Sequence, residues 1–142
     1  MSRPSPVVGL SHIAIAVADA EPLAKRLAEA LGAVRSGEEL LDGGALRVVF
    51  LSLGPVVFEL LEPRSPDHTV AKFLAKRGPG LHHVSLDVAS IEDALARARA
   101  AGATPIDETP RPGAHGTRVA FLHPRDLAGV LIELCEERPG SR

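Results

Sequence analysis

The sequence predicts an α+β fold built from two repeated βαβββ modules in a single domain of 142 residues. Two observations carry that prediction. The stretch Gly9-Leu10-Ser11-His12-Ile13-Ala14-Ile15-Ala16-Val17 returns seventy-one residues later as Gly80-Leu81-His82-His83-Val84-Ser85-Leu86-Asp87-Val88, with Gly, Leu, His and Val at the same places. Each copy precedes a helix-like run, and each half closes on an apolar run holding one carboxylate: Val57-Phe58-Glu59-Leu60-Leu61 and Leu131-Ile132-Glu133-Leu134-Cys135. Internal self-similarity of this kind marks a repeated supersecondary unit. It puts module one at about 9–63, a connector at about 64–79 and module two at about 80–136.

Residues 1–8 read as a tail. Leu10 to Val17 alternates, with Ile13, Ile15 and Val17 on one face and His12, Ala14 and Ala16 on the other, the period of a strand. The small residues beside His12 leave room where a core would be filled. Asp19 caps a helix over 20–31, Pro22 fits its first turn and Gly32 ends it. Leu23, Leu27 and Leu31 form its apolar stripe. Strands follow at 33–41 and 45–53 around an Asp42-Gly43-Gly44 turn, and Gly54-Pro55 leads into the Glu59 strand. In the connector, 70–76 is a short helix with Phe73 and Leu74 as its buried side chains.

Module two repeats the plan. Its first strand puts His83, Ser85 and Asp87 on one face and Val84, Leu86 and Val88 on the other. Ser90 with Asp93 resembles a capping box at the start of an Ala-rich helix that ends at Gly102. A strand at 104–108, a loop at 111–115, a strand at 117–122, a turn at 123–127 and a last strand at 129–135 complete it.

Composition excludes several classes of function. A net charge of -2 with interspersed signs gives no basic footprint, and the absence of Trp and Tyr with only four Phe gives no base-stacking platform. No apolar run approaches the roughly 20 residues of a membrane span, and the first residues show no secretory h-region. Nucleic acid and membrane are therefore not expected partners. The lone Cys135 rules out an intramolecular disulfide and fits a reducing, cytoplasmic setting.

The chemistry is concentrated in four residues. Within their strands Glu59 and Glu133 lie between buried-type neighbours, and burying an unpaired carboxylate costs several kcal/mol. His12 to Glu59 spans 47 positions and His83 to Glu133 spans 50. Taken singly, each has an ordinary structural reading, a half-buried strand histidine or a glutamate on a solvent face. Their matched placement in both halves points instead to a shared cation. Two imidazoles and two carboxylates suit Zn²⁺, Co²⁺, Ni²⁺ or Mn²⁺ better than Ca²⁺. His82 reads as structural, His68 as solvated and His123 as a turn residue. His115 lies in a loop able to cover a site, with function and structure equally weighted. Cys135 reads as a buried, inert thiol at the border of the same face.

Over about residues 9–136 these features resemble the vicinal oxygen chelate superfamily and, within it, the methylmalonyl-CoA epimerase family. The resemblance rests on His12-Ile13-Ala14-Ile15-Ala16-Val17, Glu59-Leu60-Leu61-Glu62-Pro63, Gly80-Leu81-His82-His83, Gly113-Ala114-His115-Gly116, and the run from Phe121-Leu122-His123-Pro124-Arg125 through Gly129 to Leu134. It implies an open, U-shaped mixed sheet around a metal site, with His12, Glu59, His83 and Glu133 as ligands of a divalent ion, Co²⁺ first and Mn²⁺, Zn²⁺ or Ni²⁺ after it. It implies epimerisation of an acyl-CoA substrate, (2R)- and (2S)-methylmalonyl-CoA, by α-proton abstraction through a metal-stabilised enolate, as part of propionate metabolism. Glu133 is the first candidate base and Glu59 the second. A homodimer is implied too, and no organic cofactor.

Two departures stand out. Some family members carry a further glutamate in the third strand of module one, where this chain reads Leu46-Arg47-Val48-Val49. The first helix lacks the superfamily's aromatic pair. The alternatives are a glyoxalase I-like lyase/isomerase with the same ligand set and a metal-free small-molecule-binding protein of the same superfamily. A dioxygenase, which draws its ligands from one module, fits less well.

Overall fold

The first strand begins earlier than the tail reading allowed, at Val7, in a computed structural model that describes residues 4–137. The elements in chain order are β1 (Val7–Ala16), α1 (Ala20–Leu31), β2 (Val34–Leu41), β3 (Leu46–Leu53), β4 (Val56–Pro63), α2 (Thr69–Arg77), β5 (Gly80–Val88), α3 (Ile91–Ala100), β6 (Arg111–Pro112), β7 (Arg118–Leu122) and β8 (Ile132–Glu136). The α+β, twice-repeated βαβββ plan is the observed one. Among the described residues no helix is long and apolar enough to cross a membrane.

The chain groups into two compact units. One runs from His12 to His82, and the other from His83 onward together with the leading residues up to Ser11. In the first, the strand order is β2-β3-β4-β1, with β1 and β4 parallel and the other pairs antiparallel. Helix α1 covers one face. Its Ala20 and Ala24 are buried against Val17, Ala33, Val49, Leu51 and Leu60, with Leu23 and Leu27 packed beside them. Leu31, expected in the same stripe, is 66 % exposed. The helix meets the sheet through its small residues, so the stripe is centred on the two alanines. Asp19 accepts from the Glu21 N–H at 3.0 Å, and Gly32 ends the helix in the left-handed conformation, φ 71°.

In the second unit the order is β5-β8-β7-β6, again with one parallel pair, β5 and β8. Helix α3 packs Ile91, Ala94 and Leu95 onto Val88, Ala120, Leu122 and Leu134, and Val7 joins that cluster. Arg97 also donates to the Pro4 carbonyl at 2.6 Å. The first described residues are thus packed onto module two by apolar burial and a hydrogen bond.

Two strand expectations need correction. Residues 104–108 form only an isolated bridge, Pro105 to Leu122. The Ile106 and His123 N–H groups make the bridge, donating to the Phe121 and Thr104 carbonyls at 2.8 and 2.7 Å, but the Phe121 N–H goes to the Asp107 carboxylate at 2.8 Å, so a side chain takes the place of the next ladder carbonyl. The short partner strand is β6, inside the predicted loop. The last strand begins at Ile132 because Ala128 and Gly129 hold positive φ, 56° and 85°, and turn the chain just before it.

Candidate functional site

In module one the parallel pairing of β1 with β4 sets Ala14 opposite Glu59, and the antiparallel pairing sets Phe50 opposite Glu59 from the other side. His12, two residues before Ala14, shares its face, which is the face turned away from α1. Its Nδ1 lies 3.1 Å from Glu59 Oε2. His12 and Glu59 are both buried, as are Ala14, Ala16, Val48 and Phe50 around them. The two alanines are fully covered, so their small size serves close packing in this structure rather than open space.

Module two repeats the register. Ser85 lies opposite Glu133 across β5 and β8, and Phe121 lies opposite it across β7. His83 and Glu133 are again buried. Here His83 Nε2 stands 3.7 Å from Glu133 Oε1, an ion-pair separation beyond hydrogen-bond length. The His83 ring stands edge-on to Phe121, with centroids 5.0 Å apart and planes at 89°. Cys135 shares this face at 3 % exposure. Burial, and then the neighbouring Glu133 charge, push its thiol up to about 11, so it is protonated and inert at neutral pH.

Each module therefore holds one buried imidazole beside one buried carboxylate, on the sheet face its helix does not cover. A buried carboxylate is costly unless it is paired, and imidazole nitrogen with carboxylate oxygen is a donor set suited to a divalent first-row ion. The residues fit a metal by that chemistry.

A second matched set of residues lies outside the local strand and helix patterns. Glu62 Oε2 accepts the Ala20 N–H at the start of α1 at 2.8 Å and receives Arg47 Nη1 at 3.2 Å, while Arg47 also reaches Glu21 at 2.8 Å. In module two Glu136 Oε2 accepts the Ile91 N–H at 2.8 Å and pairs with Arg118 at 3.4 Å, and Arg118 also binds Glu92. Glu21 and Glu92, and Arg47 and Arg118, are seventy-one positions apart, the offset that relates the two histidines. That offset was the available signal. Each clamp ties a helix N-terminus to the strand carrying Glu59 or Glu133, three residues further along it.

Three of the remaining histidines make local structural contacts. His68, expected to be solvated, caps α2 by accepting the Val70 N–H at 3.1 Å, with Nε2 2.7 Å from Asp42. His82 packs edge-on against Phe73 at 4.9 Å. His123 accepts the Arg125 N–H at 3.1 Å within its turn. His115 is exposed and held at φ 57°. Beside it Gly113 has no space for a Cβ, which would stand 2.7 Å from Val119 Cγ1, so this loop closes directly on β7.

Known proteins resemble this chain at two levels. Residues 11–121 match the model of the Glyoxalase/Bleomycin resistance protein/Dioxygenase superfamily. The Ethylmalonyl-CoA/methylmalonyl-CoA epimerase of Cereibacter sphaeroides is 40 % identical, over 88 % of this chain and 95 % of its own. The crystal structure of methylmalonyl-CoA epimerase from Mycobacterium tuberculosis superposes with a TM-score of 0.90 at 35 % identity, over 98 % of this chain and 94 % of its own. A variant of the Streptomyces coelicolor methylmalonyl-CoA epimerase, in complex with 2-nitronate-propionyl-CoA, superposes with a TM-score of 0.86 at 31 % identity, over 92 % of this chain and 98 % of its own.

Proposed function

The chain belongs to the Glyoxalase/Bleomycin resistance protein/Dioxygenase superfamily, and from that membership we propose that it is an enzyme acting on an acyl-CoA, epimerising (2R)- and (2S)-methylmalonyl-CoA. The observation that carries the reading is the buried imidazole–carboxylate pair repeated at one register in both modules, in a chain similar to epimerases of this substrate. Loss of the proton between a thioester and a carboxylate leaves a planar enolate. The nitronate in the Streptomyces complex has the same planar, delocalised negative charge, which supports an enolate as the species to be bound.

We assign His12, Glu59, His83 and Glu133 as the ligands of one divalent ion, with Co²⁺ the first choice and Mn²⁺, Zn²⁺ or Ni²⁺ as alternatives. When bound, such an ion supplies Lewis acidity toward the thioester and carboxylate oxygens of the substrate. The chain's own task is proton transfer. A carboxylate is a weak base toward such a carbon, so it must be held beside the α-hydrogen, and inversion needs a second group to return the proton on the other face. Glu133 is the base in this reading and Glu59 its counterpart. The region 46–49 supplies no carboxylate, so a base at that position is not part of this reading. The same residues would serve a glyoxalase-like isomerase, but the names of the similar proteins favour the CoA thioester. Homodimer formation and a place in propionate metabolism belong to this proposal and rest on the family resemblance, and cytoplasmic residence belongs to it on the lone Cys135.

The test is proton exchange. Metal-loaded protein with methylmalonyl-CoA in D₂O is expected to lose the α-hydrogen signal in ¹H NMR, and metal-stripped protein is not. Retention of that signal with every divalent ion offered, in a protein that still binds metal, would overturn the substrate assignment.

A further inference from the structure

Ser85 is fully buried, and among the described residues no partner lies within hydrogen-bond reach of its Oγ. Leaving a buried hydroxyl unsatisfied is destabilising, and alanine at the same place would avoid the cost. Module one has alanine there. Ala14 occupies the matching register, opposite Glu59, so neither strand nor sheet requires a hydroxyl at this position.

The carboxylates differ in the same way. Glu59 lies 3.1 Å from His12, within hydrogen-bond length, whereas Glu133 stands 3.7 Å from His83. Ser85 and Glu133 are partners across the parallel β5–β8 pair, and neighbouring strands lie about 4.7–4.9 Å apart. A serine hydroxyl and a glutamate carboxylate span that gap with a rotation of the longer chain. We propose that Ser85 is a positioning residue, whose hydroxyl donates to one Glu133 oxygen once the other is engaged by the ion. The hydroxyl would fix the orientation of the Glu133 carboxylate at the ion. Groups that orient a ligand in this manner carry about 10–100-fold of metal affinity. The inference rests on the metal reading of Glu133 given above.

The experiment compares wild type, Ser85→Ala and His83→Ala, each stripped and each titrated with Co²⁺. Calorimetry gives the dissociation constant, the visible Co²⁺ absorption gives the ligand field, and thermal melts give stability. For Ser85→Ala we expect a higher melting temperature than wild type in the stripped protein, because an unsatisfied hydroxyl has been removed. With cobalt, affinity should fall by roughly 10-fold, the absorption band should change and the cobalt-induced gain in melting temperature should shrink. A packing role would instead move stripped and loaded melts together and leave the absorption unchanged, which overturns the proposal. So does unaltered affinity in Ser85→Ala when His83→Ala has lost its cobalt, an outcome that leaves the metal reading standing. If neither substitution changes cobalt binding, both fall.

Discussion

Glu59 and Glu133 occupy one register in their two modules but keep different company. Glu59 has His12 within hydrogen-bond length, Phe50 on one flank and Ala14 on the other, whereas Glu133 has a more distant His83, Phe121 and Ser85. If they serve opposite faces of the substrate, each enantiomer depends on one of them for its first proton loss. Glu133→Gln is expected to slow α-proton exchange from one enantiomer by about 100-fold or more, and Glu59→Gln from the other. Exchange followed from each pure enantiomer, in variants shown by calorimetry to retain the ion, checks this, and equal slowing of both by either metal-loaded variant would sink the division of roles. Cys135 gives a second test at this scale. With its thiol buried and held up to about 11, the folded protein at pH 8 should resist iodoacetamide, and unfolding in urea should release labelling. Mass spectrometry of native and unfolded samples reads the difference.

Each first-turn clamp joins three elements through one arginine and two carboxylates. Glu62 and Arg47 are mostly buried, with side-chain exposures of 16 % and 17 %, so their contact is less screened than a surface ion pair. Glu62 also receives the Ala20 N–H, a donor no helical carbonyl can satisfy. Loss of such a cap costs about 1 kcal/mol. Glu62→Ala should therefore lower the stability measured by urea unfolding by about 1–2 kcal/mol, cap and arginine contact together. Glu136→Ala should act in the same direction through Ile91 and Arg118. A change within about 0.3 kcal/mol in both would show that the clamps contribute nothing to folding.

At the scale of the whole chain the clamps make stability depend on pH. Hydrogen bonding to arginine holds the carboxyls of Glu21, Glu38 and Glu92 below their ordinary value. The unfolded chain thus takes up these protons first. The contribution is complete above the unfolded value of about 4.3, and it is lost as pH falls through the lower folded values. All three groups are exposed, so the effect should also weaken in salt. The urea midpoint is expected to drop as pH is taken below about 4.3, and Arg118→Ala or 1 M salt should flatten part of that drop. An unchanged acid limb in both cases would remove these pairs from the account.

The sequence by itself determined the duplication, the α+β plan, the extent of α1 and the faces of the four candidate ligands. Those properties are written in local order. Period-two alternation assigns His12 and His83 to a face without knowledge of any neighbour, and the offset of seventy-one between them is visible in one dimension. The glutamates are seventy-four apart, since the second module carries extra residues before its last strand, and were matched by depth in an apolar run. Tertiary structure alone decided what those residues meet. Whether His83 reaches Glu133, whether Ser85 finds a partner, and whether Leu31 or Ala24 faces the core depend on register and helix docking. So do the clamps, whose cap bonds join residues 42 and 45 positions apart. The expected strand at 104–108 failed for the same reason: a distant Asp107 side chain took the Phe121 N–H, a competition that propensity along the chain does not record.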